Sequence, residues 1–449
     1  MKTKLLIFIL LAGICSLNAQ TPAFPLHPSE NGRYLVDSNK KPFFYQAETP
    51  WLIFINLNPE DMGKLMDIRI SQGFSVIQTM ALTTETNVNG DKPFVDNDLS
   101  KPNIAYFEYL RKGIKLAGEK GLLVGLSTVW KGCCGGDWND ILTQNGPEKC
   151  RKYGQFLGKY FVDCPNLYWI QGGDNDPREH IDHYREIALG IRESIPDALQ
   201  TYHASSGHSS SDVVNYLDNS WLNFTWTYTY FRKKHNVWIY VSGWGELPEV
   251  YEVNQIEYRK FPIKPFVLGE SQYEGEDSVS CKPFKASEIV RRQAYWSLLS
   301  GSCGHAYGSW NWKVGKDWRK VEKDSGAWDM LHVKNLFTSM EWTKLQPDID
   351  RQLISEGAGT FGKTDYATAA ISSDKQFALI YLPPSATVKR TLELNMDMFK
   401  KAMKLTWFDP TTGKTISLSN QHVPEKGKYK ITSPGKNEDG SNDWVLLIN

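Results

Sequence analysis

Neither sign of charge is in excess: 51 Lys and Arg stand against 51 Asp and Glu in 449 residues. Such a balance gives no general pull toward nucleic acid or an anionic membrane, and neither is expected as a partner. Long apolar runs are missing too. Leu5 to Ala12 is far shorter than the roughly 20 residues a helix needs to cross a bilayer, and no later stretch supplies such a run. Lys2 and Lys4 precede this run and Ala19 follows it, so residues 1–19 read as a cleaved signal peptide. The mature protein is expected in the periplasm or secreted, without a membrane span. Lipid anchoring at Cys15 is the lesser reading, because bulky Ile14 stands where a small residue belongs.

Cysteine is sparse. After residue 19 only Cys133, Cys134, Cys150, Cys164, Cys281 and Cys303 remain. An even count in an oxidising compartment permits up to three disulfides, without fixing their pairing. Cys133 and Cys134 are adjacent and no second pair has ligand spacing, so no zinc site is expected. His180 and His183 have helical i, i+3 spacing but no evident third ligand, and no metal or cofactor is assigned to the chain. No Gly-x-Gly-x-x-Gly follows the first predicted strand, which argues against a dinucleotide fold. Ser205-Ser206-Gly207-His208 is not the Gly-x-Ser-x-Gly elbow of a serine esterase.

What is present is a large apolar core. Hydrophobic residues make up 41% of the chain and aromatic residues 13%, with 16 Trp, a globular composition that excludes disorder. Short β-branched or aromatic runs alternate with amphipathic stretches. The predicted strands are 43–47, 75–81, 122–128, 167–170, 200–203, 222–227, 265–268 and 304–308. The predicted helices include 59–72, 105–120, 147–161, 181–193, 287–300 and 328–340. Eight βα units point to a (β/α)8 TIM barrel over residues 20–346. From 347 to 449 the texture changes to strands and turns, as in Asp409-Pro410-Thr411-Thr412-Gly413, which predicts a small antiparallel β-sandwich.

A TIM barrel builds its active site at the C-terminal strand ends. There, Trp169-Ile170-Gln171-Gly172-Gly173-Asp174 and Phe266-Val267-Leu268-Gly269-Glu270 each end an apolar run on a carboxylate. Two opposed carboxylates are what glycosidases need, one to protonate the leaving oxygen and one to attack or to activate water. An acid at a strand end is also a common helix cap or ion-pair partner, so the pairing carries the inference rather than either residue. Asp176 rivals Asp174, but Pro177 behind it fits a turn. As general acid, Asp174 is expected to hold its proton, and Glu270 as nucleophile to have an ordinary or lowered pKa. Glu48, Glu85, Glu246, Glu274 and Glu276 are further loop carboxylates suited to sugar hydroxyls or helix caps.

Several stretches are similar to the apiosidase-like glycoside hydrolases, glycoside hydrolase family 140. They include Glu48-Thr49-Pro50-Trp51, Gly73 to Gln78, Trp169 to Asp174, Thr201-Tyr202-His203, Gly269 to Glu274 and Gly304-His305-Ala306-Tyr307-Gly308. The resemblance implies a barrel followed by a β-sandwich of the collagen-binding type. It implies release of apiose from the pectin rhamnogalacturonan II, with Asp174 as acid/base and Glu270 as nucleophile. On the glycosidase reading Glu48, Trp51, Gln78, Trp130, His203, Tyr273, His305 and Tyr307 are expected to line the sugar subsite. The chain departs from the family at Glu48, where Asp is usual, and at Thr227-Tyr228-Thr229-Tyr230. The expected activity is retaining, exo-acting cleavage of a polysaccharide or oligosaccharide. The alternative is a non-catalytic carbohydrate-binding or collagen-binding protein on the same scaffold.

Overall fold

The computed structural model describes residues 21–132, 138–215, 220–230, 247–276, 285–418 and 422–449. The expected signal peptide, Cys133, Cys134, Glu246 and Cys281 lie outside the described residues. Cys150, Cys164 and Cys303 are free buried thiols, so three disulfides do not form.

Eight strands make one parallel sheet: β1 (Tyr45–Glu48), β2 (Val76–Met80), β3 (Leu123–Ser127), β4 (Leu167–Gly172), β5 (Gln200–His203), β6 (Thr225–Tyr228), β7 (Phe266–Glu270) and β8 (Gly304–Tyr307). Their hydrogen-bonded order runs β5-β4-β3-β2-β1-β8-β7-β6, a nearly closed TIM barrel as the βα alternation predicts. The remaining seam lies between β5 and β6. Asn223 N and Phe224 N both donate to Gln200 O across it at 3.3 Å. The hydroxyl of buried Ser210 does the work of ladder bonds there, donating to Tyr202 O at 2.6 Å and accepting from Trp226 N at 2.8 Å.

Helices follow the strands. α1 (Pro59–Ser71) begins on Asn58, whose side chain accepts from Asp61 N at 3.0 Å, and has Pro59 and Glu60 in its first turn. α2 (Ile104–Glu119), α3 (Asn139–Tyr160) and α4 (Ile181–Arg192) pack around the first half of the barrel. α5 (Val250–Tyr258) is not foreseen in the sequence, because its capping box uses Glu249 and Glu252 rather than a Ser or Thr cap. α6 (Ala286–Leu299) and α7 (Ser325–Thr338) complete the layer.

The C-terminal region is two antiparallel sheets. Leu345–Pro347, Thr368–Ser372, Ala378–Leu382, Trp444–Ile448, Leu405–Phe408 and Thr415–Ser417 form one, in that order. Ile354–Glu356, Thr391–Asn395 and Lys428–Thr432 form the other. Leu345–Pro347 already pairs with Thr368–Ser372, so the sandwich starts slightly before the expected boundary at 347. One continuous apolar cluster joins this region to α6 and α7, including Trp296, Tyr295, Leu336, Tyr381 and Leu446. Arg291 of α6, fully buried, spans the junction to Asp443 at 2.7 Å and Asp329 at 2.5 Å. The sandwich is thus fastened to the helical layer, with Glu288, Lys285 and Arg291 at the start of α6 meeting Ser441, Asp439 and Asp443.

Candidate active site

Side chains alternate across a strand, so parity decides which strand-end residues reach the barrel interior. On β1, Tyr45 points inward: its hydroxyl lies 2.6 Å from Tyr168 OH of β4 and donates to Gln78 Oε1 at 2.7 Å. Gln46 points outward, donating to Gly73 O and Met330 O in the helical layer. On β7, simple alternation would put Glu270 on the same face as Leu268, which packs in the outer cluster. A bulge prevents this. The β6–β7 register shifts between Leu268 and Glu270, pairing Leu268 with Thr227 but Glu270 with Tyr228. The extra residue is Gly269, and a Cβ there would lie 2.2 Å from the Trp226 ring. Gln78 Nε2 donates to Gly269 O at 2.8 Å and holds the bulge from inside the barrel. Glu270 is thereby turned inward, beside Tyr228.

Asp174 reaches the same place from β4. Gly172 has φ 72° and Asp174 φ 58°, so the chain leaves the strand through left-handed backbone that non-glycine residues seldom adopt. A Cβ on Gly172 would meet the Tyr202 ring at 2.5 Å. The turn presents the Asp174 carboxylate to Tyr228 OH, which donates to Oδ1 at 2.8 Å.

His203, at the end of β5, completes the cluster. Its Nε2 lies 2.9 Å from Glu270 Oε2, although the two are not aligned for a hydrogen bond. Its Nδ1 accepts from Asp174 N at 3.4 Å. Glu270 Oε1 accepts from Tyr273 OH at 2.6 Å, and Tyr273 in turn takes the indole N–H of Trp51 at 2.5 Å. Trp51 stacks parallel to His203 at 6.2 Å, and Trp130 packs at 4.8 Å from Trp51 and 5.1 Å from His203. Tyr230 stacks on Tyr273 at 6.3 Å. The result is an aromatic-walled site around two carboxylates.

Burial sets the protonation of these groups. It pushes Glu270 up to about 8, opposed by the Tyr273 hydrogen bond. The ordinary or lowered pKa expected for Glu270 is therefore wrong. The error arises because sequence shows the neighbours along the strand but not the 4% exposure of the folded carboxyl. Burial pulls His203 down to about 4, so the imidazole is neutral near pH 7. Asp174, His203 and Glu270 each bring one potential ligand atom within 4.8 Å of the others, the donor set in this site that could hold a metal.

Among the residues expected to line the subsite, Trp51, Trp130, His203 and Tyr273 gather around the two carboxylates. Gln78 does not line it: it is fully buried beneath, with both ends of its amide engaged by Tyr45 and Gly269. Glu48, His305 and Tyr307 are also corrected. In-register pairing places Tyr307 beside Glu48 and His305 beside Gln46, on the outer face of the sheet. There Glu48 binds Arg69 of α1 at 3.0 Å, and Tyr307 OH donates to Glu274 Oε2 at 2.6 Å. Glu274 caps α7, accepting from Gly326 N at 2.9 Å, as a loop carboxylate was expected to do. Asp176 does not serve a turn; it ties its loop to the one after β5, accepting from Ser205 N and Ser205 Oγ and lying 3.1 Å from His208 Nδ1. The sequence marks Tyr228 only as part of a departure from the family pattern. The alternation Thr225-Trp226-Thr227-Tyr228 was the signal that could have placed its hydroxyl inside.

A family model described as "Apiosidase-like, catalytic domain" matches residues 29–344. The chain belongs to this family. It is accordingly a glycoside hydrolase acting on a glycan, and the two inward carboxylates lie in its catalytic domain. A second model, described as "Putative collagen-binding domain of a collagenase", matches residues 349–449. Among solved structures, a glycoside hydrolase superposes with a TM-score of 0.78 at 23% identity, covering 95% of this chain and 96% of its own. A family 5 glycoside hydrolase from Bacteroides vulgatus ATCC 8482 gives 0.79 at 23% identity, covering 94% and 93%. These likenesses establish the two-part fold. No curated protein sequence matches the chain.

Proposed function

We propose that this apiosidase-like enzyme is a retaining exo-glycosidase that removes a terminal sugar, apiose or a similar one, from pectin side chains such as those of rhamnogalacturonan II. It would act in the periplasm or outside the cell, after loss of residues 1–19. The observation that carries the reading is the separation of the carboxylates: an oxygen of Asp174 and one of Glu270 lie within 4.8 Å of each other. Retaining enzymes hold the two carboxyl groups at about 5–5.5 Å, and a closest approach of the oxygens within 4.8 Å is compatible with that spacing.

In this mechanism Glu270 attacks the anomeric carbon while Asp174 gives its proton to the departing glycosidic oxygen. Asp174 then takes a proton from the water that hydrolyses the glycosyl ester on Glu270. Tyr273 donates to one oxygen of Glu270 and holds it for attack, with His203 Nε2 facing the other at 2.9 Å.

A second reading exchanges the two roles, and the upward push on Glu270 by burial favours it, because an acid must keep its proton. Two experiments decide. The purified full chain is incubated with pectin-derived oligosaccharides and the released monosaccharides are identified; no release from any of them would defeat the substrate assignment. Azide is then offered to the alanine variants. Rescue of Glu270→Ala with a glycosyl azide of inverted configuration supports Glu270 as nucleophile, and rescue of Asp174→Ala with that product exchanges the roles.

A further inference from the structure

We propose that Asp174, His203 and Glu270 also form a binding site for a divalent transition-metal ion of the zinc or cobalt kind, and that this ion and the sugar exclude one another. Metal binding stands on the geometry alone, while the exclusion rests on the glycosidase reading of the same residues. Three observations converge. The three potential ligand atoms lie within 4.8 Å of one another, close enough to share one ion after small side-chain shifts. Two of the side chains are nine-tenths buried or more, His203 fully and Glu270 at 4% exposure, and their His203 Nε2 and Glu270 Oε2 atoms lack hydrogen-bond partners. These atoms are 2.9 Å apart, about the separation of two ligand atoms on one ion.

The donor chemistry selects the ion. One imidazole and two carboxylates suit zinc, cobalt or manganese better than calcium or magnesium, which prefer all-oxygen sets. Three protein ligands with a fourth position open to water is the arrangement of a catalytic rather than a structural zinc site. The surroundings are also favourable: Tyr228 OH holds Asp174 and Tyr273 OH holds Glu270, fixing the carboxylates in place. Ligation through Nε2 moves the ring proton of His203 to Nδ1 and gives up the long bond from Asp174 N. An ion there ties up both carboxylates the glycosidase needs and fills the space of the anomeric carbon.

The test titrates Co²⁺ into the full chain and into His203→Ala and Glu270→Gln, reading the visible spectrum and the bound stoichiometry. One ion per chain is expected, with a nitrogen and oxygen spectrum. Loss of an outer-shell partner alone typically costs about 10- to 100-fold in metal affinity, so removal of either ligand should weaken binding at least tenfold. A thiolate charge-transfer band would place the metal at a cysteine and overturn the site, as would equal affinity in all three proteins. On any oligosaccharide the enzyme cleaves, Zn²⁺ should raise KM and leave kcat unchanged, with EDTA restoring the original values. A fall in kcat at constant KM would overturn the exclusion. Variant-sensitive metal binding in a protein with no turnover would keep the metal site and remove the glycosidase reading.

Discussion

Two polar clusters occupy the same end of the barrel on opposite faces of the sheet. Outside, Glu48, Glu274, Asp324 and Tyr307 gather around Arg69, a permanent cation 3.0 Å from Glu48 and 3.8 Å from Asp324. Inside, Asp174 and Glu270 face each other across a neutral His203, and among the described residues Glu270 is met by Tyr273 and His203 rather than by a Lys or Arg. Both clusters combine buried carboxylates with tyrosine hydroxyls, so composition does not separate them. The counter-ion does. The cluster built around an arginine and a helix N-terminus does structural work: it ties α1 and α7 to β1 and β8. Glu270, buried beside neutral partners, can hold and give up a proton, which is what acid/base chemistry requires.

This contrast is broken or sharpened most strongly by activity. Asp174→Asn should lower kcat by about a hundred- to ten-thousandfold, the usual contribution of a general acid. Glu270→Ala should abolish turnover while leaving substrate binding within about tenfold, roughly 1.4 kcal/mol, because a nucleophile acts on the transition state. Glu48→Gln should change kcat by less than about tenfold, since it touches only the outer network. Steady-state kinetics and isothermal titration on the cleaved oligosaccharide check all three. If Glu48→Gln proves as damaging as Asp174→Asn, the two clusters are not functionally distinct.

Stability should show the reverse order. Arg69→Met leaves Glu48 and Asp324 buried beside no cation, and breaking a buried ion pair from one side costs about 3–5 kcal/mol. Denaturant unfolding measures this, and the folded fraction should still turn over. An unchanged midpoint would show that the outer network is solvated and carries no structural load.

The residues also show how far the sequence alone reaches. The eight strands follow from periodicity, and both carboxylates from their position past apolar runs, because strand ends are where a barrel can place chemistry. Glu48, His305 and Tyr307 satisfy the same positional rule and fail on parity. Tyr45 and Ala47 claim the inside of β1, which leaves Glu48 outside, and this was available from the alternation. The inward turn of Glu270 was not available: a one-residue bulge at Gly269 reverses parity, and a glycine in a strand marks such a site without saying which way the next side chain goes. Nor could chain order reveal that Ser210 bridges the β5–β6 seam, or that Gln78 serves as a prop rather than a sugar contact.

Gln78 supplies the next prediction. Its amide joins Tyr45 OH to Gly269 O, a buried chain continuing to Tyr168 on the strand that bears Asp174. Gln78→Leu leaves Gly269 O without its donor and lets the bulge relax. A displacement of about 1 Å at a reacting group can cost about a hundredfold, so kcat should fall about ten- to a hundredfold with KM little changed. A purely structural role would lower the melting temperature without this split. A rise in KM at constant kcat would restore Gln78 to the list of sugar contacts.

The smallest expected effect concerns pH and tests the absence of a cation beside Glu270. Its pKa is raised from 4.5 to about 8, so the folded state favours the protonated carboxyl. Stability from this group is then fully present below about pH 4.5 and is lost as pH rises through about 8, where the folded protein must ionise a buried acid. Glu270→Gln mimics the protonated form and escapes the loss. Glu48 and Glu249, raised to about 7, and Asp329, raised to about 8, titrate in the same window, so the wild-type curve alone cannot isolate Glu270. The difference between variant and wild type can, because the other three groups are common to both. That difference should grow in favour of Glu270→Gln between pH 5 and pH 8, by about 1 kcal/mol or more, since one unit of upward shift is worth about 1.4 kcal/mol. Thermal unfolding of both proteins at pH 5, 6.5 and 8 measures it. A flat difference would mean that Tyr273 and His203 already stabilise the carboxylate as a counter-ion would, and would return Glu270 to the ordinary pKa of a nucleophile.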